Sequence, residues 1–235
     1  MSKSRGNVVA PDEYVSHMGA DVVRAYLMFI GPWEQGGEWS DTGINGVARW
    51  LNRLWDLLAE GTYSSQGSIN PEAHRDLQRN LHKTIKKTSD DIENFKYNTA
   101  ISAIMEFTRY LAQCKASGSI STEDWSEASD AIIRMIAPIT PHLAEELWAM
   151  VDNEFSVHQQ LWPIYESSLA VDDEITLVIQ VNGKVRDKLM VSNSISEKDA
   201  QDKALAATGV RRHIDGRNVN KIIFVPNRLV NIVTN

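Results

Sequence analysis

Asp41-Thr42-Gly43-Ile44-Asn45-Gly46-Val47-Ala48-Arg49-Trp50-Leu51-Asn52-Arg53-Leu54-Trp55-Asp56-Leu57-Leu58 is the stretch that decides the fold. Ile44, Val47, Leu51, Leu54 and Leu58 recur at steps of three and four, and Trp50 and Trp55 widen the stripe. That period is helical, and Asp41 or Thr42 can cap its start. The same pattern returns downstream. Pro71 opens a long helix with Leu77, Leu81, Ile85, Ile92 and Phe95 on one side. After a short break at 94–98, Ile101, Ile104, Thr108 and Leu111 mark the next helix, which Gly118 ends. Ser121 with Asp124 fits a capping box before Ala128, Ile132, Met135 and Ile136. Pro138 and Pro141 force a break, and the helix restarts with Thr140 as N-cap and Leu143, Leu147 and Met150 on one face. Several long amphipathic helices with short connections predict an antiparallel helical bundle.

Upstream, Pro11-Asp12-Glu13 reads as a helix start, Gly19 interrupts, and Asp21 to Ile30 resumes as an apolar helix stopped by Gly31-Pro32. Downstream, the period changes to two after about Ala170. Ile175, Leu177, Ile179 and Val181 alternate with Thr176, Val178 and Gln180, and Asn182-Gly183 then predicts a type I′ hairpin turn. Val185 to Val191 is the return strand, with Arg186 and Lys188 on its polar face. Ser196 to Ala207 is a helix that Gly209 ends, and Ile222–Val225 and Leu229–Val233 are two further strands. The fold class is therefore mainly α: a helical bundle followed by a small α/β domain of order β-β-α-β-β. The expected organisation is 1–40 as a helical connection, 41–166 as the bundle, 167–173 as a polar linker and 174–235 as the α/β domain.

Composition narrows the function classes. The 235 residues are 43% hydrophobic, enough for a core, and no apolar run approaches the 18 to 20 residues of a membrane helix. The N-terminus lacks the apolar region of a secretory signal. Cys114 is the only cysteine, which excludes internal disulfides and Cys-rich zinc sites and makes a reducing cytoplasm the expectation. The net charge of −7 argues against a generic nucleic-acid binder, but it is unevenly spread. Residues 172–235 carry ten Lys and Arg against eight Asp and Glu, whereas residues 1–171 carry 14 against 23. The anion-facing part is expected in the C-terminal domain. Met1-Ser2-Lys3-Ser4-Arg5-Gly6-Asn7 has no apolar period and offers an ammonium between two hydroxyls, a composition suited to a loop over a polyanion or to a frayed terminus.

Met1-Ser2-Lys3-Ser4 resembles the last four residues of the KMSKS signature of class I aminoacyl-tRNA synthetases, and Arg5 to Val9, Pro11-Asp12 and Gly19-Ala20-Asp21 extend the match. Glu38-Trp39-Ser40-Asp41, Arg49-x-Leu51-x-Arg53-x-Trp55 and Pro138-x-Thr140-Pro141-His142-x-x-Glu145-Glu146-Leu147-Trp148 look like the bacterial-type leucine-specific branch. So do Gln180-Val181-Asn182-Gly183-Lys184-Val185-Arg186 and Val225-Pro226-x-Arg228-Leu229-Val230-Asn231. The resemblance covers essentially the whole chain. It implies a class Ia anticodon-binding-type bundle and a C-terminal tRNA-binding domain of an enzyme that activates leucine with ATP and transfers it to tRNA(Leu). It also implies N-terminal catalytic and editing domains as partners, Mg-bound ATP held only with the catalytic domain, no membrane association and a monomeric full enzyme in the cytoplasm. The match begins at the Met of the signature; a start at an internal Met is the expectation, and a naturally split subunit is the alternative. A chain lacking the catalytic domain is expected to be inactive alone, and a non-catalytic tRNA-binding module is the competing reading.

By the same resemblance, Lys3 would steady the ATP phosphates, with Ser2 and Ser4 shaping the loop. Lys184, Arg186, Lys188, Arg211, Arg212 and Arg217 are the candidate phosphate contacts of the C-terminal domain, the alternative for each being a polar surface. Arg49 and Arg53, four apart, can clamp phosphates or form a solvated face. Trp50, Trp55 and Trp148 stand beside Leu and Ile at helical spacing, so they read as core before they read as base-stacking platforms. His142 with Glu145 and Glu146 lacks a second histidine at metal spacing, and no metal site is expected. Three positions depart from the common pattern: Ala10 in place of a capping Asp, Asp187 in place of a small apolar residue, and Asn227 in place of Gly.

Overall fold

A computed structural model describes residues 9–59, 63, 65, 70–151, 153–171 and 174–235. The chain divides into two compact units, Met1–Ala170 and Val171–Asn235. Unit 1 holds seven helices among its described residues: α1 (Pro11–Met18), α2 (Ala20–Phe29), α3 (Asp41–Ala59), α4 (Pro71–Glu93), α5 (Tyr97–Ser117), α6 (Thr122–Ile136) and α7 (Pro141–Met150). Their apolar stripes meet in one core, in which Ile44, Leu54, Leu77, Leu81, Ile104 and Ile132 are fully or almost fully buried. The expected punctuation is present. Asn70 caps α4 through its side chain, Ser121 and Asp124 form the capping box of α6, and Gly118 closes α5 in the left-handed conformation. Trp50 and Trp148 are buried and Trp55 packs on the core from its edge, as their spacing predicts. No described helix is long and apolar enough to cross a membrane.

The start of α7 differs from the sequence expectation. Thr140 stands at the N-cap position, but its hydroxyl donates back to the Ile136 carbonyl and caps nothing. The cap comes from another helix: Asp21 of α2 accepts from the Leu143 N–H at 2.7 Å and from His142 Nδ1 at 3.0 Å. One turn further along α2, Arg24 donates to the carbonyls of Pro138 and Ile139. An acid meets the positive end of α7 and a cation meets carbonyls left over beyond α6, so the Pro-x-Thr-Pro break is clamped from both sides. Changing Asp21 to Ala should lower the stability of unit 1 by about 1 to 2 kcal/mol, the usual cost of a lost cap. A urea midpoint identical to wild type, read by tryptophan fluorescence, would show that α7 starts without this cap.

Unit 2 is a four-stranded sheet in the order β2-β1-β4-β3, with β1 (Glu174–Val181), β2 (Lys184–Ser192), β3 (Val219–Val225) and β4 (Leu229–Thr234). The outer pairs are antiparallel and the central β1–β4 pair is parallel. Asn182 and Gly183 both have positive φ, 51° and 77°, as a type I′ turn requires. Asn227 is also left-handed at 56°, in the β3–β4 turn, a conformation asparagine tolerates. Leu177, Ile179, Val230 and Ile232 point to one face, and α8 (Glu197–Ala206) supplies Ala200 and Ala204 to the same core.

Two features of unit 2 depart from the strand-by-strand reading. The helical segment does not end at Gly209: a second helix, α9 (Thr208–Ile214), begins there and buries Val210. The β1–β2 register also slips, pairing Ile179 with Asp187 and Gln180 with Val185, so Arg186 is an extra residue. On the near side of the slip Asp187 keeps the phase of Leu189 and Val191 and faces the helices. Its carboxylate accepts from the Gly209 N–H at 3.0 Å and so satisfies a donor at the start of α9, for which Ala207 offers no side chain. The acid that looks like a polar intrusion in a strand is a helix cap.

Candidate nucleic-acid interface

The asparagines around the hairpin tie one end of unit 2 together. Thr234 donates its N–H to Asn182 Oδ1 at 2.9 Å, and Asn182 Nδ2 donates to the Thr234 hydroxyl at 3.1 Å. Gly183 donates to Asn231 Oδ1 at 3.0 Å, and Asn218 donates to Asn235 Oδ1 at 3.2 Å. The β1–β2 turn, the end of β4 and the segment before β3 are thereby held at the same end of the sheet.

Most of the candidate cations sit at that end. Lys184 opens β2 beside the turn, Arg186 is the bulge residue, and Arg217 precedes the anchored Asn218. Helix α9 starts over the bulge and leads into the Arg217 segment, so Arg211 and Arg212 lie between two fixed points. All five are exposed, and none makes an ion pair among the described residues. Arg211 and Arg212 also stand in the last turn of α9, where the helix dipole favours positive charge. With Asp187 engaged by Gly209, the nearest acid of β2 is turned inward. The result is a rim of cations on a hydrogen-bonded frame, which can hold several phosphates of a folded polynucleotide.

Lys188 is not part of that rim. It pairs across from Val178 on the sheet face opposite the helices, where Lys221 of β3 also lies. Lys221 escapes the sequence reading because β3 begins at Val219, before the Ile222 start that apolar alternation suggests. In unit 1, Arg49 and Arg53 are exposed one turn apart on α3. The structure therefore gathers five of the eight candidates and leaves Lys188, Arg49 and Arg53 elsewhere. Ser2, Lys3 and Ser4 lie outside the described residues.

The remaining chemistry-bearing side chains have structural partners. His142 is held by Asp21, and no group of three or more His, Cys, Asp or Glu among the described residues could hold a metal. Burial pushes the Cys114 thiol pKa up, which keeps it a neutral packing group, and burial likewise raises that of its neighbour Tyr110.

Comparison with known proteins gives these features their context. Residues 74–201 match the family model of the anticodon-binding domain of tRNA ligase. Leucine–tRNA ligase of Dehalococcoides mccartyi is 50% identical over 233 residues, covering 99% of this chain and 28% of that protein. Leucine–tRNA ligase of Rubrobacter xylanophilus is 45% identical over the same length and coverage. The chain thus spans little more than a quarter of the curated relatives it matches. Among solved structures, LeuRS of Agrobacterium radiobacter K84, in a ternary complex with tRNA and LeuAMS, aligns over 100% of this chain and 31% of that one, at TM-score 0.83 and 30% identity. Methionyl-tRNA synthetase of Mycobacterium tuberculosis shares the fold alone, at TM-score 0.53 and 16% identity over 63% of this chain. The leucine-branch motifs and the relatives agree, and the family match extends over more than half of the sequence: the chain belongs to the anticodon-binding domain family of tRNA ligases.

Proposed function

We propose that this chain is the tRNA-holding part of a leucine–tRNA ligase, and that the basic end of unit 2 grips tRNA(Leu). The observation that carries the reading is 50% identity with a leucine–tRNA ligase across nearly the whole chain. The clustering of Lys184, Arg186, Arg211, Arg212 and Arg217 supports the choice of face. Activation of leucine with ATP and transfer to the tRNA end belong to the complete ligase, a cytoplasmic monomer, with its catalytic and editing domains. There Ser2, Lys3 and Ser4 meet the phosphates of ATP, a substrate brought with magnesium. In this division of labour unit 1 is a scaffold and unit 2 an electrostatic grip on the sugar-phosphate backbone.

The test is binding of a tRNA(Leu) transcript to the 235-residue chain, with a transcript specific for another amino acid as comparison. The expected result is salt-dependent binding that favours tRNA(Leu) and weakens about tenfold in R186A/R212A, because two phosphates go unneutralised. Equal binding of both transcripts, or unchanged binding by the variant, would sink this assignment.

A further inference from the structure

Two asparagines in this chain are followed by glycine, Asn45-Gly46 and Asn182-Gly183. Asparagine is a thermolabile residue, and before glycine it can react without an enzyme. The glycine backbone nitrogen loses its proton to hydroxide and attacks the asparagine Cγ. The Cγ–Nδ2 bond breaks, and the amide nitrogen leaves as ammonia. Water then opens the cyclic succinimide at either carbonyl, giving aspartate or, with one more carbon in the main chain, isoaspartate. In sum an amide and water become a carboxylate and ammonium, and nothing is oxidised or reduced. Glycine favours the ring because no Cβ stands in the path of its nitrogen.

The structure separates the two pairs. Asn45 lies on α3, where its Nδ2 donates to the Asp41 carbonyl at 2.7 Å. The Gly46 nitrogen is inside the helix ladder, between the buried Ile44 and Val47. Ring closure there requires α3 to unwind. Asn182-Gly183 is instead the exposed β1–β2 turn, and a Cβ on Gly183 would meet no atom within 4 Å, so hydroxide and water reach it. The exposed Lys184 follows directly, and a cation beside a nitrogen that is losing its proton lowers the barrier.

Strand β4 holds this reaction back. The Gly183 N–H donates to Asn231 Oδ1 at 3.0 Å, a bond that favours the protonated nitrogen. The Asn182 side chain is held at both ends by Thr234: Oδ1 accepts from its N–H at 2.9 Å, and Nδ2 donates to its hydroxyl at 3.1 Å. Nucleophile and electrophile are tied to the same strand, and both sets of bonds must be given up before the nitrogen reaches Cγ.

We propose that Asn182 is a site of spontaneous deamidation, held in check by Asn231 and Thr234 of β4, and that each conversion sets a negative charge into the cationic rim. Either product removes the Nδ2 donor to Thr234 and places a carboxylate beside Lys184. Isoaspartate also lengthens the main chain in the two-residue turn that fixes the β1–β2 register. The chemistry is independent of the tRNA reading; only the effect of the new charge on tRNA rests on it.

The experiment incubates the 235-residue chain in mildly alkaline buffer, with and without urea. Mass spectrometry follows the peptides containing Asn45 and Asn182, and labelling by an isoaspartate methyltransferase counts the isoaspartate. In native buffer Asn182 should convert ahead of Asn45; in urea the two should convert at similar rates, both faster than native Asn182. N231A/T234V should speed native conversion at Asn182 about tenfold, because each bond lost is worth a factor of several, and should change nothing in urea. T234V alone removes only the hydroxyl and keeps the backbone bond and a strand-forming side chain, so it holds the fold and should speed conversion about threefold. A wild-type native rate in either variant, or no lead of Asn182 over Asn45 in native buffer, overturns the proposal. N182D carries the product's charge from the start and should bind tRNA(Leu) about threefold more weakly, half the logarithmic effect of R186A/R212A. Equal binding by N182D and wild type overturns the part that concerns the rim. If wild type binds no tRNA(Leu) while T234V converts faster, the tRNA reading falls and the deamidation site stands.

Discussion

Replacing Gly209 by alanine should open unit 2 while leaving unit 1 folded. A Cβ at this position would lie 2.4 Å from the Arg186 carbonyl oxygen and 2.9 Å from Asp187 Oδ2, well inside contact distance. The first obstacle is backbone, and it belongs to the bulge of β2, so it cannot rotate away as a side chain tip would. Helix α9 has to retreat. That breaks the bond from the Gly209 N–H to Asp187 and loosens the packing around the fully buried Val210. Overpacking costs about 1 to 3 kcal/mol and a lost cap about 1 more. A unit of about 65 residues has little stability to lose, so this is a large share of its total. The two units can be followed separately because all seven tryptophans lie between Trp33 and Trp162, in unit 1. Tryptophan fluorescence should therefore give a wild-type unfolding curve, while amide hydrogen exchange shows lost protection in β1 and β4. Asp187→Ala should do the same to a lesser degree, by about 1 kcal/mol. Wild-type protection in G209A would mean that α9 tolerates the displacement and that the bulge does not fix its position.

The same neighbourhood shows where sequence patterns stop. Helical stripes such as Ile44 to Leu58 are legible because each residue's burial depends on its own helix phase. The Asn182-Gly183 turn is legible because few residue pairs accept two positive φ angles. Gly209 reads wrongly as a helix stop because glycine has two uses. Here it permits close approach rather than a left-handed cap, and only the neighbouring strand reveals which. Asp187 looks out of place in the sequence because it shares the core-side phase of Leu189 and Val191, and the Gly209 N–H that gives it a purpose there lies 22 residues further along the chain. Thr140 does not act as a cap for a related reason: Asp21, more than a hundred residues away, already fills the place. In the candidate site, net positive charge points to unit 2, and the cations around the hairpin follow from it.

The largest single effect is expected at Trp50. This side chain is 2% exposed, on the α3 stripe, and its Nε1 donates to the Thr108 hydroxyl of α5 at 3.2 Å. Thr108 in turn donates to the Ile104 carbonyl, so the indole completes a chain of bonds inside the core. Trp50→Ala removes the whole ring from a close-packed interior, a change that costs about 3 to 5 kcal/mol. Trp50→Phe keeps most of the apolar body and loses mainly the hydrogen bond, at about 1 kcal/mol plus the smaller loss of volume. The two variants should therefore separate clearly in urea denaturation followed through the six remaining tryptophans. The competing role is a platform for a nucleotide base, and it makes the opposite prediction: Trp50→Ala would weaken RNA binding and leave the urea midpoint in place. Burial decides between them in advance. A ring with 2% of its surface open has no face left for a base, and tRNA affinity corrected for the folded fraction should match wild type in both variants. A large loss of affinity with an unshifted midpoint would instead place Trp50 at the RNA surface and require α3 to turn its apolar stripe outward.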